Sequence, residues 1–354
     1  MHTSKIKDFT GESIYVGIDS HLKSWKVTLM SDEMELRSFT QPPESEILVK
    51  FLTKNYPGAT YKCVYEAGFA GYEPQRIMNR YGVDCIVINP LDVPTSDKEK
   101  RTKSDQVDSR KLARALKNND LKGIYIPPID QQESRSLLRV RSRISRDSTR
   151  IKNRIKFYLM FFHVSIPKEY SSSKWSTGFI DWLSKLEFNG YSQKAFTLLL
   201  EELKMLKALE TQATSYLKEL SEDIRYKEDI ALLMTIPGVG RLTALVLLTE
   251  LGDINRFKSI KNLCSYCGLI PDSRSSGESS YIGRNTRRGN AYLKHVLVEC
   301  AWMSIRYDPA LLLFYKESIK TMEANKAIIK VTRKLLNRIR FVLKTKTSYV
   351  NGVA

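Results

Sequence analysis

The chain reads as a mixed α/β domain followed by a helical remainder. Three observations predict this. Residues 1–128 alternate short β-rich runs with stretches of helical period. Residues 129–227 carry two long helices with apolar residues repeating every seven positions. Residues 228–354 are helical in period, apart from one stretch rich in Gly and Ser.

The elements follow in order. SIYVGIDS (13–20), SWKVTLMS (24–31) and EMELRSFT (33–40) read as three strands in a meander, the last two joined by a tight turn at Ser31–Asp32. Residues 44–55 have helical period, ATYKCVYEAG (59–68) is the next strand, and residues 73–81 form a helix. VDCIVINP is a fifth strand stopped by Pro90, and a polar loop leads to a helix over 105–118. Three meander strands followed by helix, strand, helix, strand, helix is the layout of a ribonuclease-H-like domain. Pro127–Pro128 ends it. The helix over 131–162 carries Leu137, Val140, Ile144, Ile151, Ile155, Tyr158 and Phe162 in seven-residue rhythm. A small packed insertion with Trp175 and Trp182 follows, then a helix over 194–224 with Leu199, Leu203, Leu206, Ala213, Leu217, Leu220 and Ile224. The two helices are expected to pair as a coiled coil, within the chain or between subunits.

Charge narrows the partners. Among 354 residues, 57 Lys and Arg face 39 Asp and Glu, a net charge of +18, with a pI near 9.5. A polyanion, nucleic acid first, is the expected partner. No apolar run approaches a membrane span, and MHTSKIKDFTGES lacks the apolar core of a signal peptide. The five cysteines are scattered, which fits a reducing cytosol rather than a disulfide framework. Cys264 and Cys267 form a lone CxxC. Without a second ligand pair at zinc spacing, they are expected to be buried and unligated.

Four carboxylates carry the most chemistry. Asp19 ends the first strand and Glu66 the fourth, and these strands are neighbours in a ribonuclease-H-like sheet. Asp105 and Asp108 share one side of a helix start. Turn and capping roles are the plainer readings of Asp19 and Asp105. Together at one sheet edge, the four favour a site for Mg²⁺, a cation that prefers oxygen ligands and is readily shared with phosphate.

Three basic or glycine-rich features complete the inventory. Arg135, Arg139, Arg143, Arg146, Arg150 and Arg154 make a stripe, and residues 131–156 hold nine Lys or Arg against Glu133 and Asp147. A nucleic-acid backbone is the expected neighbour. Pro237-Gly238-Val239-Gly240 resembles a helix-hairpin-helix turn, where Gly238 and Gly240 would let backbone N–H groups reach a phosphate. A tight helix–helix turn is the alternative. Ser273 to Gly277 precedes Arg284, Arg287 and Arg288, which could clamp a phosphate. Read locally, the Ser/Gly stretch is simply a loop.

These residues together resemble the DEDD insertion-sequence transposases, the Piv/MooV-like site-specific recombinases guided by a bridge RNA. YVGIDSHLKSW matches the family's opening strand and YEAG its Glu block. KSDQVDSRKLA matches K-x-D-x-x-D-A-x-x-L-A, with Ser109 where Ala is usual. IPGVGRLTALVLLTELGDINRF and YCGLIPDSRSSG with RNTRRGNAYL match the C-terminal transposase block. The resemblance implies a RuvC-like domain over 1–128, a coiled-coil linker over 129–227, and a C-terminal domain over 228–354 that bears a nucleophilic serine. It implies that Asp19, Glu66, Asp105 and Asp108 bind Mg²⁺. Ser276, directly before Gly277, would form a phosphoserine intermediate, with Ser275 as the alternative. Glu278 and Ser279 depart from the usual S-S-G-G-K continuation. The partners implied are double-stranded donor and target DNA and a structured guide RNA. A homodimer or homotetramer is implied too, because the family's site joins the acidic domain of one subunit to the serine domain of another. A cytoplasmic, nucleoid-associated protein is expected. Two other readings stay open: a metal-dependent, structure-specific nuclease of Holliday-junction-resolvase type, and a non-catalytic nucleic-acid-binding protein.

Overall fold

The computed structural model describes residues 8–94, 104–170, 174–276, 279–285 and 289–351, with side chains of 272–288 outside the description. It divides into two compact units, Met1–Ile126 and Pro127–Ala354.

In the first unit, β1 (Ser13–Ser20), β2 (Trp25–Met30), β3 (Glu35–Gln41), β4 (Thr60–Glu66) and β5 (Asp84–Ile88) form one sheet in the order β3-β2-β1-β4-β5. The meander is antiparallel, while β1, β4 and β5 run parallel. Ile14, Val16 and Ile18 point to the face covered by α1 (Ser45–Asn55) and α2 (Glu73–Arg80), where Leu48, Leu52 and Met78 complete an apolar core. Both faces of β1 are covered, which is why it reads as a continuous buried run rather than an alternating one.

The opposite face carries α3 (Asp105–Lys117). Gly17 makes this possible. A Cβ there would lie 2.1 Å from the Ser109 carbonyl oxygen and 2.4 Å from the Ala113 nitrogen, so the helix backbone rests directly on the strand. Thr28 on β2 faces the same helix and shares a buried 2.8 Å hydrogen bond with the Ser109 hydroxyl. Ser109 therefore replaces the family's usual Ala without an unsatisfied polar atom.

The second unit is built on α4 (Ile129–Phe161) and α6 (Tyr191–Ser221), which pack against each other inside the chain. Their seam departs from the expected heptads. Leu138, Ile151, Ile155 and Leu159 are buried, whereas Val140 is 48% exposed and Phe162 36%. Ile224 lies beyond the end of α6 and is 92% exposed. The shift has a cause in what each half meets. Ile151, Ile155 and Leu159 face Phe196, Leu200 and Leu203 of α6, while Leu138 joins a larger core with the helices that follow. At the far end, α5 (Thr177–Ser184) adds Phe179 and Trp182, stacked 5.7 Å apart, as the packed insertion.

That larger core is formed by α7 (Lys227–Met234), α8 (Arg241–Leu251), α9 (Ile260–Tyr266), α10 (Ala291–Tyr307), α11 (Pro309–Ile319) and α12 (Ala324–Thr345). Leu138 of α4 and Leu217 of α6 belong to it, so residues on either side of position 228 share one core. Between α9 and α10, β6 (Pro271–Ser276) and β7 (Ser279–Asn285) pair as an antiparallel hairpin where a loop is expected from the sequence. Its Ser- and Arg-rich strands lack the apolar alternation that marks a strand. Cys264 and Cys267 are buried in this core, and burial pushes both thiols up. No helix among the described residues is long and apolar enough to cross a membrane.

Candidate metal centre and nucleic-acid interface

The carboxylates converge through strand register. Because Ile18 pairs with Tyr65, Asp19 and Glu66 stand side by side at the C-terminal ends of parallel strands. Asp19 and Gly17 are two apart and share the α3 face. The helix that presses on Gly17 therefore begins over Asp19 and brings Asp105 and Asp108 in its first turn. Ser104 is the cap, accepting from the Val107 N–H, so neither Asp is needed for that role.

Within this group, one donor atom from each of Asp19, His21 and Asp105 lies within 4.8 Å of the other two. His21 Nε2 is 3.2 Å from Asp19 and 3.6 Å from Asp105. Asp108 lies beside them, paired with Lys111 Nζ at 3.0 Å, and Glu66 is half-buried at the neighbouring strand end. Burial raises the Asp19 carboxyl above its ordinary value. The charge of His21 opposes the rise, and those of Asp108 and Asp105 add to it. Crowded, partly buried carboxylates of this kind are stabilised by a cation. Carboxylate oxygens suit a hard divalent ion such as Mg²⁺, whereas an imidazole nitrogen suits softer ones, so the donor set fits a divalent cation without selecting Mg²⁺. His21 is the residue that sequence reasoning missed. The only signal was the spacing Asp19-x-His21 at a strand end.

The arginine stripe divides. Arg135 is buried: its Nε donates to the Thr249 carbonyl at 2.6 Å and its terminal nitrogen to that of Glu250 at 3.0 Å. It thus caps the C-terminal end of α8. Arg139 makes a fork to the Glu250 carboxylate at 2.8 and 2.9 Å, and Glu250 is fully buried. Asn290, the N-cap of α10, donates to the same carboxylate at 2.8 Å. Both arginines hold partners within the protein, Arg135 out of solvent and Arg139 with 52% of its side chain still exposed. Arg143 remains exposed, as do Arg150 (69%) and Arg154 (61%), the last two beside Asp147 and Glu202.

The two glycines also differ. Gly238 adopts φ +86°, and a Cβ there would meet the Cys300 carbonyl oxygen at 2.7 Å, so it serves helix packing. Gly240 is exposed, with open space around it, at the start of α8. Ser275 and Ser276 end β6 at the hairpin tip, their backbones paired with Ser280 and Ser279. The side chains of Ser276 and Arg284 lie outside the description, and Arg287 and Arg288 lie outside the described residues.

A sheet edge gathering Asp, Glu and two further Asp is consistent with a DEDD nuclease-like domain. Comparison with known proteins agrees. Residues 16–164 match the DEDD transposase family of IS110. Residues 230–316 match the Transposase IS116/IS110/IS902 family. The chain is 27% identical to the transposase for insertion sequence element IS1533 of Leptospira borgpetersenii, over 82% of this chain and 84% of that one. It is 24% identical to the transposase for IS1111A of Coxiella burnetii, over 77% and 74%. It is 29% identical to y4qE of Sinorhizobium fredii, a transposase in name, over 71% of this chain but only 60% of that protein's length. The chain belongs to the IS110/IS116 family of insertion-sequence transposases.

Proposed function

We propose that this chain cuts and rejoins DNA strands for an insertion sequence, directed by a structured guide RNA. Ser276 is the nucleophile, with Ser275 as the alternative, and Asp19, Glu66, Asp105 and Asp108 hold a divalent cation, Mg²⁺. The observation that carries this reading is the Asp19–His21–Asp105 group at the C-terminal edge of a sheet whose residues match the DEDD family. When bound, the cation would neutralise charge that develops on a phosphate oxygen. The chain's own residues would do the rest. The Ser276 Oγ–P bond forms as a P–O bond to deoxyribose breaks. The freed hydroxyl of another strand then reverses the exchange and restores the serine. Phosphodiester energy is conserved in the phosphoserine, so rejoining needs no ATP. Arg284, Arg287 and Arg288 follow the serine in sequence and suit the phosphate. Arg139, Arg143, Arg150, Arg154 and Gly240 are the exposed backbone contacts for duplex DNA or guide RNA, in a homodimer or homotetramer.

The test is a labelled donor DNA incubated with the chain, a guide RNA and Mg²⁺, then denatured. A protein–DNA adduct is expected from the wild type and from one of Ser275→Ala and Ser276→Ala, but not the other. If both variants cleave and rejoin as well as wild type, the serine step is wrong and a hydrolytic metal nuclease is the better reading.

A further inference from the structure

Helices α4, α8 and α10 diverge to leave a cleft of about 320 Å³ that none of the assignments above uses. Arg141, Ser145, Arg146 and Thr149 line it from α4, and Tyr292 and His295 from α10. No carboxylate lines it among the described residues. The protein does little to neutralise its cations. Arg141 sits 3.7 Å from Glu210, the outer edge of ion pairing. Its Nε is shielded from solvent and has no hydrogen-bond acceptor among the described residues. Arg146 has as its described acceptor the Ser142 backbone carbonyl, at 3.3 Å. The first turn of α8 also contributes to the lining, and its N-cap, Gly240, offers no side chain to cap the helix. Weakly paired guanidinium donors, hydroxyls and a helix start without a side-chain cap share one complementary ligand, an oxyanion.

We propose that this cleft seats a backbone phosphate of a nucleic acid. The proposal rests on the nucleic-acid-processing role above and deepens it. It places a phosphate contact further along α4, at Arg141 and Arg146, beyond Arg135 and Arg139, which bond to Thr249 and Glu250. The ligand is recognised by its phosphodiester alone, so the seat is independent of sequence. DNA and RNA are separated by experiment.

Full-length Arg146→Gln and Thr149→Glu change exposed positions, and Arg141→Gln removes the shielded donor. Each is compared with wild type for binding to a random-sequence DNA duplex and to a structured RNA, across a salt series. At least one polymer should bind about tenfold more weakly to the variants, with a salt slope reduced by about one. A loss confined to one polymer names it, and a loss for both assigns the seat to either backbone. If Arg141→Gln fails to fold, the two exposed variants decide. Affinities and slopes unchanged for both polymers overturn the proposal. Wild-type protein that binds both polymers yet never cleaves DNA would defeat the activity and leave this site standing. Normal cleavage with unaltered binding in the variants would do the reverse.

Discussion

Gly17→Ala tests how the acidic site is assembled. A methyl group at this position would sit 2.1 Å from the Ser109 carbonyl oxygen, 2.4 Å from the Ala113 nitrogen and 3.1 Å from its Cα. All three are helix backbone, which no rotamer change can clear. To regain van der Waals separation, α3 would have to retreat by about 1 Å. Overpacking of this kind costs about 1–3 kcal/mol, and a clash with backbone belongs at the upper end. The retreat also carries Asp105 out of its 4.8 Å group with Asp19 and His21. Urea unfolding should show a loss of about 3 kcal/mol. Calorimetric titration with Mn²⁺ should show cation affinity reduced by about tenfold or more, as expected when ligand geometry is disturbed. Gly68→Ala is the control for the added methyl, since nothing lies within 4 Å of a Cβ there. Wild-type stability and cation affinity in Gly17→Ala would refute the idea that this close approach positions the site.

Other consequences can be measured separately. Arg139→Ala leaves the buried Glu250 carboxylate with the Asn290 amide but without its Arg139 cation and should cost about 3 kcal/mol by chemical denaturation, with Arg139→Ala/Glu250→Gln recovering part of the loss. Ser109→Ala removes the buried bond to Thr28 and should cost about 1 kcal/mol. Tyr349 donates to Asp308 Oδ2 at 2.7 Å, and burial, reinforced by this bond, pushes its phenol up from 10.0 to about 12. The fold favours the neutral phenol. Its stabilisation is therefore complete below the ordinary value of 10.0 and lost as pH rises towards about 12. Thermal unfolding of wild type and Tyr349→Phe across this range should show the difference between them shrinking.

The first unit was largely legible because its signals are local. Each strand is a β-rich run with its own stop, and a carboxylate at a strand end can be placed once the strand order is known. His21 was not legible, since Asp-x-His after a strand marks no site until the helix start arrives above it. The second unit was read less well, for a different reason. A heptad pattern says that a helix buries one stripe, but the stripe is chosen by the neighbours. Leu138 and Leu159 are buried in place of Val140 and Phe162 for that reason. The bonds made by the arginines at 135 and 139 were hidden, because their partners are more than a hundred residues away, at the C-terminal end of α8. The hairpin over 271–285 was hidden by its Ser- and Arg-rich composition.

If the carboxylates at this sheet edge are a working cation site for DNA strand cleavage, as we propose, cleavage must depend on them. Strand cleavage of a labelled donor DNA by the full chain, with guide RNA and Mg²⁺ present, tests it directly. Cleavage is expected from the wild type and none above background from Asp19→Asn or Asp105→Asn, with nucleic-acid binding retained in both. Cleavage by the two Asn variants at the wild-type rate would contradict it.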